Sequence, residues 1–194
     1  MRLFLAINLP APLRRAIFDA TAPLRAAAPS LAWVAEPNLH LTLKFFGERP
    51  ESEATSLARA LDAVASGHAP VTLALGGLGA FPNQRRPRVV WLGIAPDPKL
   101  ELLHHDVEAA CAALGYELEG RAFRPHLTLA RVRPARGGAE RPGADAAARA
   151  LAGAAREVRF RETAVVETLD LMRSELAAGG SRYTVLHAAP LRGR

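Results

Sequence analysis

One tetrapeptide occurs twice in this chain: His40-Leu41-Thr42-Leu43 and, 86 residues later, His126-Leu127-Thr128-Leu129. Each copy lies in a β-prone run, and successive side chains of a strand point to opposite faces. His40 and Thr42 therefore share one face and Leu41 and Leu43 the other, with the same division in the second copy. The leucines demand a core, and the polar pairs line a surface. Helix-forming segments flank both copies. Two copies do not make a tandem array. They predict two similar halves related by an approximate two-fold axis, with the tetrapeptides as equivalent strands beside it and a groove between. A single His-x-Thr on a strand marks only a polar face. Two identical copies, each following a turn-like segment (Glu36-Pro37-Asn38-Leu39 and Arg124-Pro125), are hard to assign to packing, which has no need of histidine twice.

The remaining pattern is mixed. Residues 2–9 read as a strand, 11–28 as a helix after a proline start, and 31–34 and 39–46 as strands separated by a Glu36-Pro37-Asn38 turn. An amphipathic helix is expected over 51–66, with Leu57, Leu61 and Val64 on one face. Strands over 71–75 and 89–94 flank a Gly- and Arg-rich irregular connection. Asp97-Pro98 caps a helix that ends at Gly115 and buries Leu100, Leu103, Val107 and Leu114. A strand over 123–132 carries the second tetrapeptide, 134–143 reads as a loop, and 144–152 as a short helix. Strands over 157–171 and 183–186 are joined through a hairpin at Ala177-Ala178-Gly179-Gly180-Ser181. The order gives an α+β fold: a bilobal pair of antiparallel sheets with outer helices and a central groove, residues 1–194 forming one domain.

At 194 residues and 49% hydrophobic content the chain can bury a sizeable core. Its apolar runs are too short to cross a bilayer, and the basic-then-apolar start lacks a signal-peptide cleavage site, so a cytoplasmic protein without membrane contact is expected. The one cysteine, Cys111, excludes an intrachain disulfide and a cysteine-rich zinc site, and reads as core. Formal charge is +6, and because Lys44 and Lys99 are the only lysines, 23 of the 25 basic residues are arginine. That balance favours an anionic partner and suits phosphate, although a GC-rich genome produces the same bias.

Opening a cyclic phosphodiester requires water to lose a proton as it attacks phosphorus, while the departing ribose oxygen gains one on the opposite side. Two opposed imidazoles meet both needs, since a group with a pKa of about 6.5 is available in either protonation state near neutral pH. Threonine hydroxyls two residues on can hold the non-bridging oxygens as their charge grows. The scheme needs no metal and no cofactor.

These His-x-Thr-x motifs resemble those of the two-histidine (2H) phosphoesterase superfamily, and the chain is similar throughout to RNA 2′,3′-cyclic phosphodiesterases, historically called 2′-5′ RNA ligases. The likeness runs through Arg2-Leu-Phe-Leu-Ala-Ile, Asn38-Leu-His-Leu-Thr-Leu-Lys-Phe-Phe-Gly47, Pro87-Arg-Val-Val-Trp91-Leu-Gly, Phe123-Arg-Pro-His-Leu-Thr-Leu-Ala-Arg131 and the region from Ser174 to Tyr183-Thr. It implies the bilobal fold and hydrolysis of RNA ends bearing a 2′,3′-cyclic phosphate to a 2′-phosphomonoester. It also implies His40 as proton donor to O3′, His126 as the base that activates water, and Thr42 and Thr128 as phosphate ligands. The near-symmetric motifs alone do not divide those two roles. Arg131 joins the phosphate ligands by the same resemblance, although simple strand parity puts it on the leucine face unless a bulge or strand end turns it.

Phe45, Phe46, Phe81 and Phe123 are candidates to stack a base, with the core as the plainer fate for most. Arg85-Arg86-x-Arg88 and Arg131-x-Arg133-x-x-Arg136 are candidate guides for an RNA backbone or simply solvated loops. A zinc hydrolase is disfavoured: His104 and His105 are adjacent on a helix and point apart, and His68 and His187 complete no three-ligand spacing. An ATP-dependent ligase would need a Lys-x-Asp-Gly nucleotidylation site, which is absent, so any 2′-5′ ligation is the ATP-independent reverse reaction. A binding module without turnover is the remaining alternative, against which both histidines and both threonines are intact. One chain supplies both halves of the site, so a monomer is expected.

Overall fold

The structure is a computed structural model that describes residues 1–132, 144–177 and 180–193. Its first strand, β1 (Arg2–Asn8), is buried on both faces. Leu3, Leu5 and Ile7 enter the main core, while Phe4 and Ala6 form a second small cluster with Met172 and Tyr183 on the opposite side. The helix expected over 11–28 is two, α1 (Ala11–Ala20) and α2 (Ala22–Ala27). They part at Thr21, whose hydroxyl donates back to the Ile17 carbonyl at 2.7 Å, just before Pro23, which has no N–H to continue the ladder. After the two-residue β2 (Ala32–Trp33), a 3₁₀ turn at Glu36–Asn38 delivers β3 (His40–Glu48).

The expected helix over 51–66 is α3 (Glu53–Ser66), which buries Leu57, Leu61 and Ala65. β4 (Val71–Phe81) runs through most of the segment read from sequence as irregular, because Gly77, at φ +74°, sits at a slip in its register with β5 (Val89–Ile94). Asp97 caps α4 (Pro98–Ala113), its carboxylate accepting from the Lys99 and Leu100 N–H groups. Cys111 joins the core there, whereas Leu114, expected inside, lies past the helix and is exposed. The second tetrapeptide begins β6 (His126–Arg131), and α5 (Ala144–Ala154), β7 (Arg161–Val166), β8 (Thr168–Ala177) and β9 (Gly180–Pro190) complete the order. The loop expected over 134–143, and the middle of the 177–181 hairpin, lie outside the described residues.

All strand pairings are antiparallel, in the order β7-β4-β5-β6-β3-β1-β8-β9, with β2 added beside β6. The two expected sheets are therefore continuous, but they join through a single residue pair, Leu41 opposite Leu127. Those two residues are equivalent positions of the repeated tetrapeptide. A two-fold through that pair exchanges β3 with β6, β1 with β5, β8 with β4 and β9 with β7. Helices cover the leucine face: α3 packs on β8, β9 and α4, and α4 on β3. Behind β4 and β5, a cavity of about 660 Å³ is lined in part by Leu24, Val90, Leu92, Leu151 and Phe160. It lies on the side of the sheet away from the histidines.

Candidate active site

The backbone departs from simple alternation in both tetrapeptide strands, immediately after each threonine. Between β1 and β3 the register slips from Ala6–Thr42 to Leu5–Lys44, leaving Leu43 extra; between β5 and β6 it slips from Trp91–Thr128 to Val90–Ala130, leaving Leu129 extra. Each slip is a β-bulge, and it re-aims the residues beyond it. Leu43 and Lys44 both turn inward, as do Leu129 and Ala130. Phe45 and Arg131, one residue further on, are exposed. Phe45 pairs with Phe4, whose ring touches His40, so it shares the histidine face. Arg131 lies close enough for its charge to act on both His40 and His126. For Arg131 the exception to simple parity applies: the bulge takes it off the leucine face.

Lys44, buried by its bulge, places its ammonium 2.8 Å from both Glu108 carboxylate oxygens and donates to the Glu117 carbonyl at 2.7 Å. This buried pair ties the bulge of β3 to α4.

The two imidazoles are held alike. His40 Nδ1 donates to the Asn38 carbonyl and His126 Nδ1 to the Arg124 carbonyl, both at 2.7 Å. A carbonyl only accepts, so Nδ1 carries the fixed proton and Nε2 is left to exchange one. In its neutral form His40 accepts at Nε2 from the Thr42 hydroxyl at 3.0 Å. Extending the Leu41–Leu127 register by one residue sets His40 across from Thr128 and Thr42 across from His126. The four polar side chains thus form a diagonal set. Burial lowers the pKa of both histidines below the usual imidazole value; the Asn38 or Arg124 carbonyl bond opposes this, and the Arg131 charge reinforces it.

Comparison with known proteins gives this geometry a family. The profile of the 2′-5′ RNA ligase superfamily matches residues 10–177. The chain belongs to that superfamily. A relative from Methanothermobacter thermautotrophicus, named RNA 2′,3′-cyclic phosphodiesterase, is 33% identical over 95% of each chain. One of the same name from Geobacillus stearothermophilus is 38% identical over 66% of this chain, a match that spans only 41% of that protein's length. Among solved structures, TT0787 of Thermus thermophilus superposes with a TM-score of 0.78 at 33% identity, over all of both chains. E. coli LigT complexed with 3′-AMP superposes with a TM-score of 0.73 at 30% identity, over 98% of this chain and 97% of that one.

Within this superfamily fold, aromatic rings wall both histidines. His40 lies 5.0 Å from the Phe4 ring and 5.3 Å, edge-on, from Tyr183; His126 lies 5.1 Å from Phe81 and 6.1 Å from Trp91. Trp91 can lie flat because Gly79 faces it: a Cβ there would come within 2.1 Å of the indole. Asn38 donates to the Ser181 carbonyl at 2.7 Å, fastening the turn before His40 to β9. The rings are spread over four strands, and the sequence offered no spacing that links them to the motifs.

Other candidates lie elsewhere. Phe46 is buried against Tyr116, and Phe123 stacks on His104 at 3.8 Å. Phe45 is 55% exposed, with the Arg2 guanidinium 5.6 Å over its ring. His68 binds Asp106 and His187 binds Asp62, each joining two elements of the fold. The backbone N–H groups of Arg85 and Arg86 donate to the Asn83 side chain, and Arg133 and Arg136 lie outside the described residues. No helix among the described residues is long and apolar enough to cross a membrane.

Proposed function

We propose that the protein hydrolyses 2′,3′-cyclic phosphates at RNA ends, as the name of its Methanothermobacter thermautotrophicus relative suggests, and that the product is a 2′-phosphomonoester. The observation that carries this reading is the pair of imidazoles tethered alike through Nδ1 on equivalent strands, each with Nε2 open to proton exchange. Water attacks phosphorus as His126 Nε2 takes its proton. The P–O3′ bond breaks on the opposite side as His40 Nε2 delivers a proton to O3′. The Thr42 and Thr128 hydroxyls and the Arg131 guanidinium hold the non-bridging oxygens, whose charge grows in the transition state. Phe45, exposed on the same face, serves as a base platform.

Because burial lowers both pKa values, the two imidazoles of the free site favour the neutral form, and the arriving phosphate favours protonation of the donor histidine. Residues 1–194 act as one bilobal unit, and each half brings one histidine, so we read the active form as a monomer. The free, buried thiol of Cys111 fits a cytoplasmic setting.

The test is turnover of an oligoribonucleotide ending in a 2′,3′-cyclic phosphate, with excess chelator and no ATP. Release of a 2′-phosphate by the wild type, and its loss in His40→Ala and His126→Ala, is expected. Stoichiometric binding without turnover would overturn the reading in favour of a recognition module.

A further inference from the structure

The two halves of the site differ where each histidine meets its neighbouring strand. His40 pairs across the sheet with Asn8, and His126 at the equivalent place with Gly93. No side chain fits at Gly93, because a Cβ there would stand 2.9 Å from the Gly76 carbonyl oxygen. Asn8 is instead held. Its Nδ2 donates to Asp170 Oδ2 at 2.7 Å and lies 3.3 Å from the Met172 sulfur. Asp170 is 4% exposed, and Asn8 is its hydrogen-bond partner among the described side chains.

A carboxylate accepts and does not donate, so the amide cannot flip: nitrogen faces β8. Asn8 pairs with His40 across β1 and β3, so the amide oxygen, turned away from Asp170, is left on the histidine face. No donor among the described residues engages that oxygen. It is a fixed acceptor beside one histidine of a pair.

We infer that Asn8 is a further substrate-contact residue, whose Oδ1, oriented by Asp170, accepts a hydrogen bond from the ribose hydroxyl formed as His40 protonates the leaving oxygen. The inference rests on the phosphodiesterase reading above. In the cyclic substrate O2′ and O3′ are both esterified to phosphorus and neither carries hydrogen, so Oδ1 has nothing there to accept. Once the P–O3′ bond breaks and the His40 proton has moved to O3′, a donor exists on that side alone. The contact is thus made in the product complex, after the chemical step, and its loss falls on affinity for the product. It also gives the near-symmetric site a direction.

The experiment compares binding of a nucleoside 2′-phosphate and its 3′-deoxy analogue to wild type, Asn8→Gly and Asp170→Leu, alongside cyclic-phosphate turnover by each. Wild type is expected to prefer the 3′-hydroxyl compound by about fivefold to tenfold, the size of one hydrogen bond. Asn8→Gly, which copies the Gly93 half, should bind both equally. Asp170→Leu should lose the same preference with Asn8 still present. Undiminished preference in Asn8→Gly, with normal wild-type turnover, overturns the inference and leaves the phosphodiesterase reading standing. Absence of wild-type turnover overturns that reading instead.

Discussion

Ala6 beside Thr42 and Trp91 beside Thr128 occupy equivalent places in the two halves, yet one is the smallest side chain with a Cβ and the other the largest. The rest of the comparison divides in the same way. The bulge after each threonine, the Nδ1-to-carbonyl tether and the buried leucines are duplicated. Phe45 against Arg131, Lys44 against Ala130 and Asn8 against Gly93 are not. What is duplicated is what two opposed proton transfers require. Of the differences, Phe45, Arg131 and Asn8 lie on the histidine face, whereas Lys44 and Ala130 are buried. On the phosphodiesterase reading, the duplicated backbone serves the two proton transfers and the unlike side chains of the histidine face meet an asymmetric nucleotide.

The largest expected effect tests the duplicated part. His40→Ala and His126→Ala should each lower kcat/KM on a cyclic-phosphate end by roughly 100- to 10,000-fold, with the fold intact by circular dichroism. The comparison sharpens with a phosphodiester whose leaving group needs no proton. On that substrate His40→Ala should recover most of its rate and His126→Ala should not. Equal rescue of both would break the division of roles.

Next comes the bulge itself, built alike in both halves but anchored differently. Lys44 buries a charge paired with Glu108, whereas Ala130 at the equivalent place is simply small. Removing one partner of a buried pair leaves the other uncompensated, so Lys44→Ala should cost about 3–5 kcal/mol in denaturant unfolding. Lys44→Met combined with Glu108→Leu should recover much of that loss. A double variant no better than the single one would show that the anchor lies elsewhere.

A smaller effect is expected under His126. Gly79→Ala sets a methyl into the Trp91 indole, an overpacking that should cost about 1–3 kcal/mol and lower the rate by displacing the wall of His126. Pairing it with Trp91→Phe should relieve the clash, with the unfolding midpoint as the readout.

Much of this was legible in the chain. The doubled tetrapeptide predicted two equivalent strands beside a two-fold, and the structure joins them at Leu41 and Leu127. Alternation placed His40 with Thr42 and His126 with Thr128 because it holds for the first four residues of each strand. It failed one step later. A bulge is set by pairing with β1 or β5, a non-local event, so parity put Arg131 on the wrong face, and nothing local in the sequence distinguished Phe45 from Phe46. Asn8 and Asp170 are 162 positions apart and meet only because β8 pairs with β1. The strand in the 76–81 segment was not read from the sequence because its glycines resemble a loop, when Gly79 makes room for Trp91.

The smallest expected effect concerns Arg131, whose charge acts on both histidines although it sits in only one half. Both imidazole pKa values lie below the ordinary one, with burial the larger cause and Arg131 a lesser one. A bell-shaped profile of kcat/KM reports the free enzyme, so its maximum should lie on the acid side of about pH 6.5. Arg131→Met removes a positive charge that disfavours each imidazolium, so both pKa values should rise and the whole bell should move to higher pH. It should stop short of the unperturbed position because burial remains. The limbs belong to the coupled pair, so the displacement of the maximum is the quantity to measure. A maximum displaced to higher pH would show that the Arg131 charge acts on the imidazole pair. A maximum that stays fixed while activity falls would show that Arg131 serves phosphate alone.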